Sequence, residues 1–246
     1  MCFTSEDVEI YSRNKNILFE PINDVRGLVN LVNQIGHRVL RAISCPAKAV
    51  FSERIVEYPL LFQYVKSNWK SILDFGCAED LFPIHLASLG YKVTGLDFRL
   101  YPFSHPNFTH IQADIITWKP PKGEFDCVIS VSTIEHVGLG GFGDPVVVDG
   151  DKIAVQKLFD AAKTGGNILI TVPFGKPTTK RYTRIYNHSR LHELVPNICI
   201  ERFFAKRGRY DMWQEVSWHD AEKIEYEDYF AISPCEAVAC VVAKKD

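Results

Sequence analysis

Apolar residues at Val25, Leu28, Val32, Ile35, Val39 and Ile43 recur at spacings of three and four, which predicts one amphipathic helix over about 23–44. Pro46 stands just past its end, where a helix stop belongs. A second helix is predicted from Ser52 towards Lys66, and Pro59 should interrupt or kink it, because proline has no N–H for the helical ladder. These segments make residues 1–70 an N-terminal helical extension, expected to pack on a core formed by residues 71–246.

At Ser71 the period changes. Short apolar runs now alternate with helical stretches, the pattern of βα units that build a parallel sheet. Strands are expected at 72–75, 92–96, 109–112, 125–131 and 167–172, with helices at about 80–89 and 150–162. Leu89-Gly90 closes the first of these helices with a glycine stop. Two later strands, near 198–205 and at 237–243, enclose a charged, aromatic-rich stretch and suggest an antiparallel pair at the end of the sheet.

Composition narrows the class. The 246 residues are 46% apolar, enough for a substantial core in one α/β domain. A net charge of −2 gives the whole molecule no strong attraction for nucleic acid or an anionic membrane. Seven cysteines form no C-x-x-C pair and no metal-like cluster, a usage that suits a reducing cytoplasm. The first residues lack the basic-then-apolar layout of a secretory signal, and no apolar run approaches the ~20 residues of a membrane span. A cytoplasmic location is therefore expected.

Candidate chemistry gathers at the strand ends. Ile72-Leu73-Asp74-Phe75-Gly76-Cys77 ends the first strand and turns directly into a helix, a turn that offers backbone N–H groups to a ligand. Gly95-Leu96-Asp97 ends the second, with an acid about 20 residues on, where nucleotide-binding folds place a carboxylate on ribose hydroxyls. Asp114-Ile115 follows the third strand, and the fourth runs through Ser130 into Ser132-Thr133-Ile134-Glu135-His136. Ligands of open α/β sheets bind outside these carboxyl ends, so all four should border one crevice.

This series resembles the class I S-adenosylmethionine-dependent methyltransferases, in which a strand-D-x-G-x-G-x-G turn precedes an acid ending strand two and another after strand three. Asp74, Gly76, Asp97 and Asp114 meet the pattern in order, and the likeness covers roughly Ser71 to Gly175. Glu57-Tyr58-Pro59, Thr133 to Gly140 and Gly143-Asp144-Pro145 resemble a narrower bacterial and archaeal group often found beside sugar-modifying enzymes. The resemblance implies a Rossmann-like methyltransferase fold: a mostly parallel seven-stranded sheet, an antiparallel last strand and helices on both faces. It implies S-adenosyl-L-methionine as cofactor, with Gly76 and Cys77 against the methionine moiety, Asp97 on the ribose, and Asp114 with Ile115 at the adenine. Asp74, Ala78, Phe98 and Ser130 complete the expected cofactor set. The sequence departs from the pattern at Ala78 and Asp80, where the family has its second and third loop glycines.

Methyl transfer needs the acceptor held in line and its proton removed. His136 is the candidate general base, since histidine titrates nearest neutrality, and Glu135 stands beside it. A Glu-x-x-Glu-His segment with a later histidine also resembles the magnesium site of small-RNA 2′-O-methyltransferases. Ser132 replaces its first acid here, so Asp144, His188 or His192 would have to substitute. Lys176, Lys180, Arg181, Arg184 and Arg190, interleaved with Phe174, Tyr182 and Tyr186, suggest a phosphorylated, nucleotide-linked or acidic saccharide acceptor. Gly138-Leu139-Gly140-Gly141-Phe142-Gly143 matches G-x-G-x-x-G formally, but no second βαβ unit trails it; it reads as a mobile loop over the substrate pocket. Trp213, Trp218 and His219 are candidates to wall that pocket, whereas Arg54, Glu57 and Tyr58 carry no task legible in the sequence.

The expected activity is methylation of a hydroxyl, less readily an amine, of a small molecule or saccharide. Competing readings are a metal-dependent or nucleic-acid methyltransferase, and a protein that binds the cofactor without catalysis. A nicotinamide dehydrogenase would keep more of the lost glycines.

Overall fold

A computed structural model describes residues 52–78, 80–208, 212–226 and 235–246. The helix expected over 23–44, with most of the N-terminal extension, lies outside the described residues.

The first described helix, α1 (Arg54–Tyr64), runs through Pro59 without a break. Of the two outcomes expected at Pro59, an interruption or a kink, the interruption does not occur. Pro59 removes one N–H from the helical ladder, and burial of Glu57, Leu60 and Leu61 on one side holds the segment in place. Strand β1 (Ser71–Phe75) leads through α2 (Phe82–Ser88) to β2 (Lys92–Asp97), β3 (Phe108–Gln112) and β4 (Phe125–Val131), and a 3₁₀ turn at Ile134–His136 and α3 (Gly150–Ala161) precede β5 (Ala162–Pro173). A short hairpin, β6 (Thr178–Lys180) and β7 (Thr183–Ile185), leads into α4 (His188–Leu194). Strands β8 (Ile198–Arg207) and β9 (Met212–Val216), the single turn α5 (Trp218–Ala221) and β10 (Ala237–Lys244) complete the chain.

Eight of these strands form one sheet in the order β3-β2-β1-β4-β5-β10-β8-β9, and β6 and β7 pair only with each other. β3 through β5 are parallel, β10 runs antiparallel between β5 and β8, and β9 folds back on β8 as an eighth, edge strand. The seven strands read from the sequence are all present. β9, in the charged, aromatic-rich stretch, and the β6–β7 hairpin, in the basic segment after β5, are too short for the sequence pattern to mark them.

Alternation along the strands builds a core on each face, as a sheet covered on both sides requires. Leu73, Val128, Ile168 and Ile170 point to one side, under Val155 and Leu158 of α3 and Leu191 of α4. Ile72, Cys127, Ile129 and Leu169 point to the other, under Leu61 of α1 and Phe82 and Leu86 of α2. β10 splits likewise, with Val238 and Cys240 meeting Leu60 while Ala239 and Val241 face α4. Topology thus puts the carboxyl ends of β1, β2, β3 and β4 side by side. Among the described residues, no helix is long and apolar enough to cross a membrane.

Candidate active site

Asp74 and Ser130 lie deep at these ends, in adjacent strands where Asp74 is level with Ile129 and Phe75 with Ser130. Both side chains are buried, and Asp74 Oδ2 and Ser130 Oγ have no hydrogen-bond partner. Burial, with Asp80 and Asp97 close by, raises the Asp74 carboxyl well above the usual carboxylate range. Such orphaned groups fit a polar ligand that supplies the missing partners.

The turn after β1 explains itself locally. Gly76 has φ +85°, and a Cβ there would fall 2.2 Å from the Thr133 side chain. The glycine is thus required by backbone conformation and by a protein neighbour, before any ligand is considered. Cys77 turns its thiol into the core beside Ile84 and Tyr101. Ala78 N–H donates to Asp97 Oδ2 at 3.0 Å, tying the turn to the end of β2. Asp80, in the family's third glycine position, accepts the Phe82 N–H at 2.9 Å, and its carbonyl accepts the Tyr101 hydroxyl at 2.8 Å. The replacement therefore secures the first turn of α2 rather than eroding the loop. Burial pushes the Asp80 carboxyl up to about 6.

Asp97 is 3% exposed and already engaged, accepting Arg99 N–H at 2.9 Å and the Arg99 guanidinium at 3.2 Å. Arg99 also lies over the ring of Phe98 at 5.6 Å. Beyond β3, Asp114 Oδ1 accepts the Ile116 N–H at 2.9 Å, and Ile115 is buried. The expected cofactor residues therefore do converge on one edge of the sheet.

At the end of β4 the chain bends sharply, with Ser132 at φ +42°. Its hydroxyl donates to Glu57 Oε1 at 2.6 Å, and Arg54 pairs with the other oxygen of the same carboxylate. Helix α1 thus delivers a fully buried acid to the end of β4, a role the sequence left unassigned. Glu135 is also buried, and its Oε2 has no partner. Burial first, then the Glu57 charge, raises the Glu135 carboxyl well above its ordinary range.

His136 Nδ1 lies 2.6 Å from the Tyr182 carbonyl, which can only accept, so this nitrogen carries the proton. In the neutral ring Nε2 is then the free base, 3.7 Å from Glu135 Oε1. Burial lowers the imidazole pKa, partly opposed by the Tyr182 bond, and so favours the neutral form. Arg184 holds the turn from beneath: it donates to the Val137 carbonyl at 2.7 Å and the Glu135 carbonyl at 3.3 Å, and pairs with Asp151 at 3.6 Å. Tyr186 donates to the same Asp151 at 2.9 Å.

The glycine-rich loop closes on Asp144, whose carboxylate accepts N–H groups from Gly138, Gly140 and Phe142 at 3.1, 3.3 and 3.1 Å. Phe142 meets the His136 ring edge-on at 5.1 Å and carries the Arg99 guanidinium at 5.2 Å. The loop therefore bridges the Asp97 side of the crevice to the β4 side.

Other residues singled out in the sequence have partners of their own. Lys176 pairs with Glu225, and Arg184 is turned inward on the Val137 carbonyl, so these two of the five basic residues are engaged within the protein. Trp218 stacks on His188 at 4.3 Å and on His219 at 3.5 Å, while Trp213 lies under Lys206 at 5.3 Å. Of the proposed substitutes for a magnesium ligand, Asp144 is occupied by the loop. His188 and His192 gather on Glu201 of β8, which β5 and β10 separate from β4.

A family model described as "Methyltransferase domain" matches residues 50–215. No curated protein matches the chain in sequence. Among solved structures, an S-adenosylmethionine-dependent methyltransferase from Methanosarcina mazei is similar at TM-score 0.52 and 15% identity, covering 76% of this chain and 97% of that one. The 1,6-didemethyltoxoflavin-N1-methyltransferase of Burkholderia thailandensis, with bound S-adenosylhomocysteine, is similar at TM-score 0.53 and 11% identity over 92% of each chain. The N-methyltransferase NodS of Bradyrhizobium japonicum is similar at TM-score 0.51 and 15% identity, covering 78% of this chain and 87% of that one. At these identities the likeness is one of fold: the Rossmann-like class I methyltransferase fold.

Proposed function

This chain belongs to the methyltransferase domain family, and we propose that it moves a methyl group from S-adenosyl-L-methionine to a hydroxyl of a small molecule, with saccharides the favoured class. The reading is carried by the Tyr182–His136 contact, which leaves an uncharged imidazole with a free Nε2 beside the end of β4.

Bound, the cofactor supplies an electrophilic methyl group on a charged sulfur. The chain supplies the rest. Asp74 Oδ2 and Ser130 Oγ are free to accept or donate at its methionine end, with the Gly76–Cys77–Ala78 main chain beside them. Asp97 and Phe98 serve the ribose side, and Asp114 and Ile115 the base. His136 Nε2 takes the acceptor proton, and Arg184 with Asp151 keeps the turn that carries it from shifting. Glu57 holds Ser132, and Phe142 screens the crevice from water.

An amine acceptor is favoured by a different observation, the buried Glu135 with one unpartnered oxygen and the Glu57 carboxylate nearby. A protonated amine would supply the missing charge. Nucleic acid is disfavoured by the net charge of −2 and by the inward turn of Arg184.

The test is twofold. Calorimetry with S-adenosylhomocysteine establishes the cofactor site, and release of S-adenosylhomocysteine is then followed against panels of hydroxylated saccharides and of amines. Turnover with hydroxyl acceptors supports the reading. Turnover confined to amines replaces it with the second reading, and binding without turnover on either panel overturns both in favour of a non-catalytic protein.

A further inference from the structure

Helix α4 presents His188 and His192 four residues apart, hence on one face. Glu201, on the neighbouring β8, meets both with its two oxygens: His188 Nε2 at 3.3 Å and His192 Nε2 at 2.9 Å. The three ligand atoms all lie within 4.8 Å of one another, the one such group among the described residues. We propose that His188, His192 and Glu201 form a site for a divalent transition-metal ion, zinc by preference, separate from the methyl-transfer centre.

The donor set selects the metal. Two imidazole nitrogens and one carboxylate suit zinc, cobalt, nickel or copper, whereas magnesium and calcium call for oxygen ligands throughout. The site carries one negative charge when both rings are neutral, and no lysine or arginine among the described residues pairs with Glu201. The rings are also supported from outside the Glu201 contacts. Trp218 stacks on His188 at an interplanar angle of 21°, His192 packs against the same ring at 4.4 Å, and Asn187 fixes the start of α4 by accepting the Arg190 N–H at 3.0 Å. These contacts hold the nitrogens before any ion arrives, which reduces the ordering cost of binding. Side-chain exposures of 29, 45 and 28% leave a path for the ion and room for a water ligand.

The ion would pin α4 to β8. α4 directly follows the stretch whose Tyr182 and Arg184 hold the His136 turn, but β5 and β10 separate β8 from β4. The expected effect is therefore on stability, without participation in the chemical step.

The test uses the untagged full chain, stripped with chelator and titrated with Zn²⁺ alone against a chromogenic competitor, with Co²⁺ absorption reporting the ligand field. One tight equivalent is expected, with a rise in melting temperature. His192→Gln and Glu201→Gln should each weaken binding about tenfold or more and abolish the zinc-induced rise. His192 is the most exposed of the three, so circular dichroism of the metal-free His192→Gln protein should match the parent. Unchanged affinity in His188→Asn/His192→Asn, or a stoichiometry well below one in the parent, overturns the proposal and marks the bound metal as adventitious.

Discussion

The Tyr182 carbonyl fixes the proton of His136 on Nδ1 across 2.6 Å, joining the β6–β7 turn to the end of β4. Because the partner is main chain, the tautomer is set by the fold and not by a second titrating group. His136→Ala should lower turnover by about 10²–10⁴-fold while leaving S-adenosylhomocysteine affinity nearly unchanged. Burial holds the imidazole below its ordinary value of about 6.5, so the base is neutral at pH 7 and activity should fall only as pH drops through that lowered pKa. A rate profile whose acid limb persists in the variant would count against the assignment.

Asp97 is expected to bind the cofactor ribose although Arg99 already pairs with it. Asp97→Ala should weaken S-adenosylhomocysteine binding by about 1.5–3 kcal/mol in calorimetry. Arg99→Ala frees Asp97 of its guanidinium partner, and also removes the cation from the Phe98 and Phe142 rings; it should keep or tighten binding. Equal losses in both variants would mean that the ion pair itself is the determinant.

Asp74 bears the cost of a site built for a ligand. A buried carboxyl whose pKa is raised in the folded protein destabilises it as pH rises through the interval above the unfolded value. Asp74→Asn should therefore raise the melting temperature of the ligand-free protein at pH 7, by about 1 kcal/mol of stability, and weaken cofactor binding. Scanning calorimetry with and without S-adenosylhomocysteine reads both changes; a drop in ligand-free stability would refute the idea.

Two glycines separate crowding from backbone strain. Gly76 and Gly123 both have positive φ, +85° and +65°, but a Cβ meets Thr133 at 2.2 Å in the first and open space in the second. Gly123→Ala should cost about 1 kcal/mol and Gly76→Ala about 2–5 kcal/mol in urea unfolding. Similar losses would show that Thr133 yields freely.

Asp126 ties the start of β1 to β4 by accepting the Lys70 N–H at 2.8 Å and the Ser71 N–H at 3.0 Å, with Lys163 Nζ at 2.6 Å. Burial alone would raise its carboxyl, but these donors hold it down to about 2. The stabilisation is complete above the ordinary aspartate value and is lost as pH falls towards about 2. Asp126→Asn should be less stable than the parent by about 1.5–3 kcal/mol at pH 7, and the difference should close in acid. A gap that persists at the acid end would point to packing instead.

Sequence by itself determined the sheet and the crevice. Apolar alternation fixes which side of each strand is buried, and parallel strands joined by helices must bring their carboxyl ends to one edge, so Asp74, Asp97, Asp114 and Ser130 could be grouped before any coordinates. Helix α1 and its Glu57 could not be, because a contact across 75 residues to Ser132 leaves no local period. The same holds for Tyr182 on His136, and for β9 and the β6–β7 hairpin, whose strands of five and three residues are too short to show a period. Charge counts are coarse for a related reason: Arg184 and Lys176 look available in one dimension, yet each is taken by a partner that only the folded chain brings near. Local periodicity records burial, which each residue feels on its own. Partnership between polar groups is decided by tertiary packing, because it needs two distant segments to meet in a low-dielectric interior.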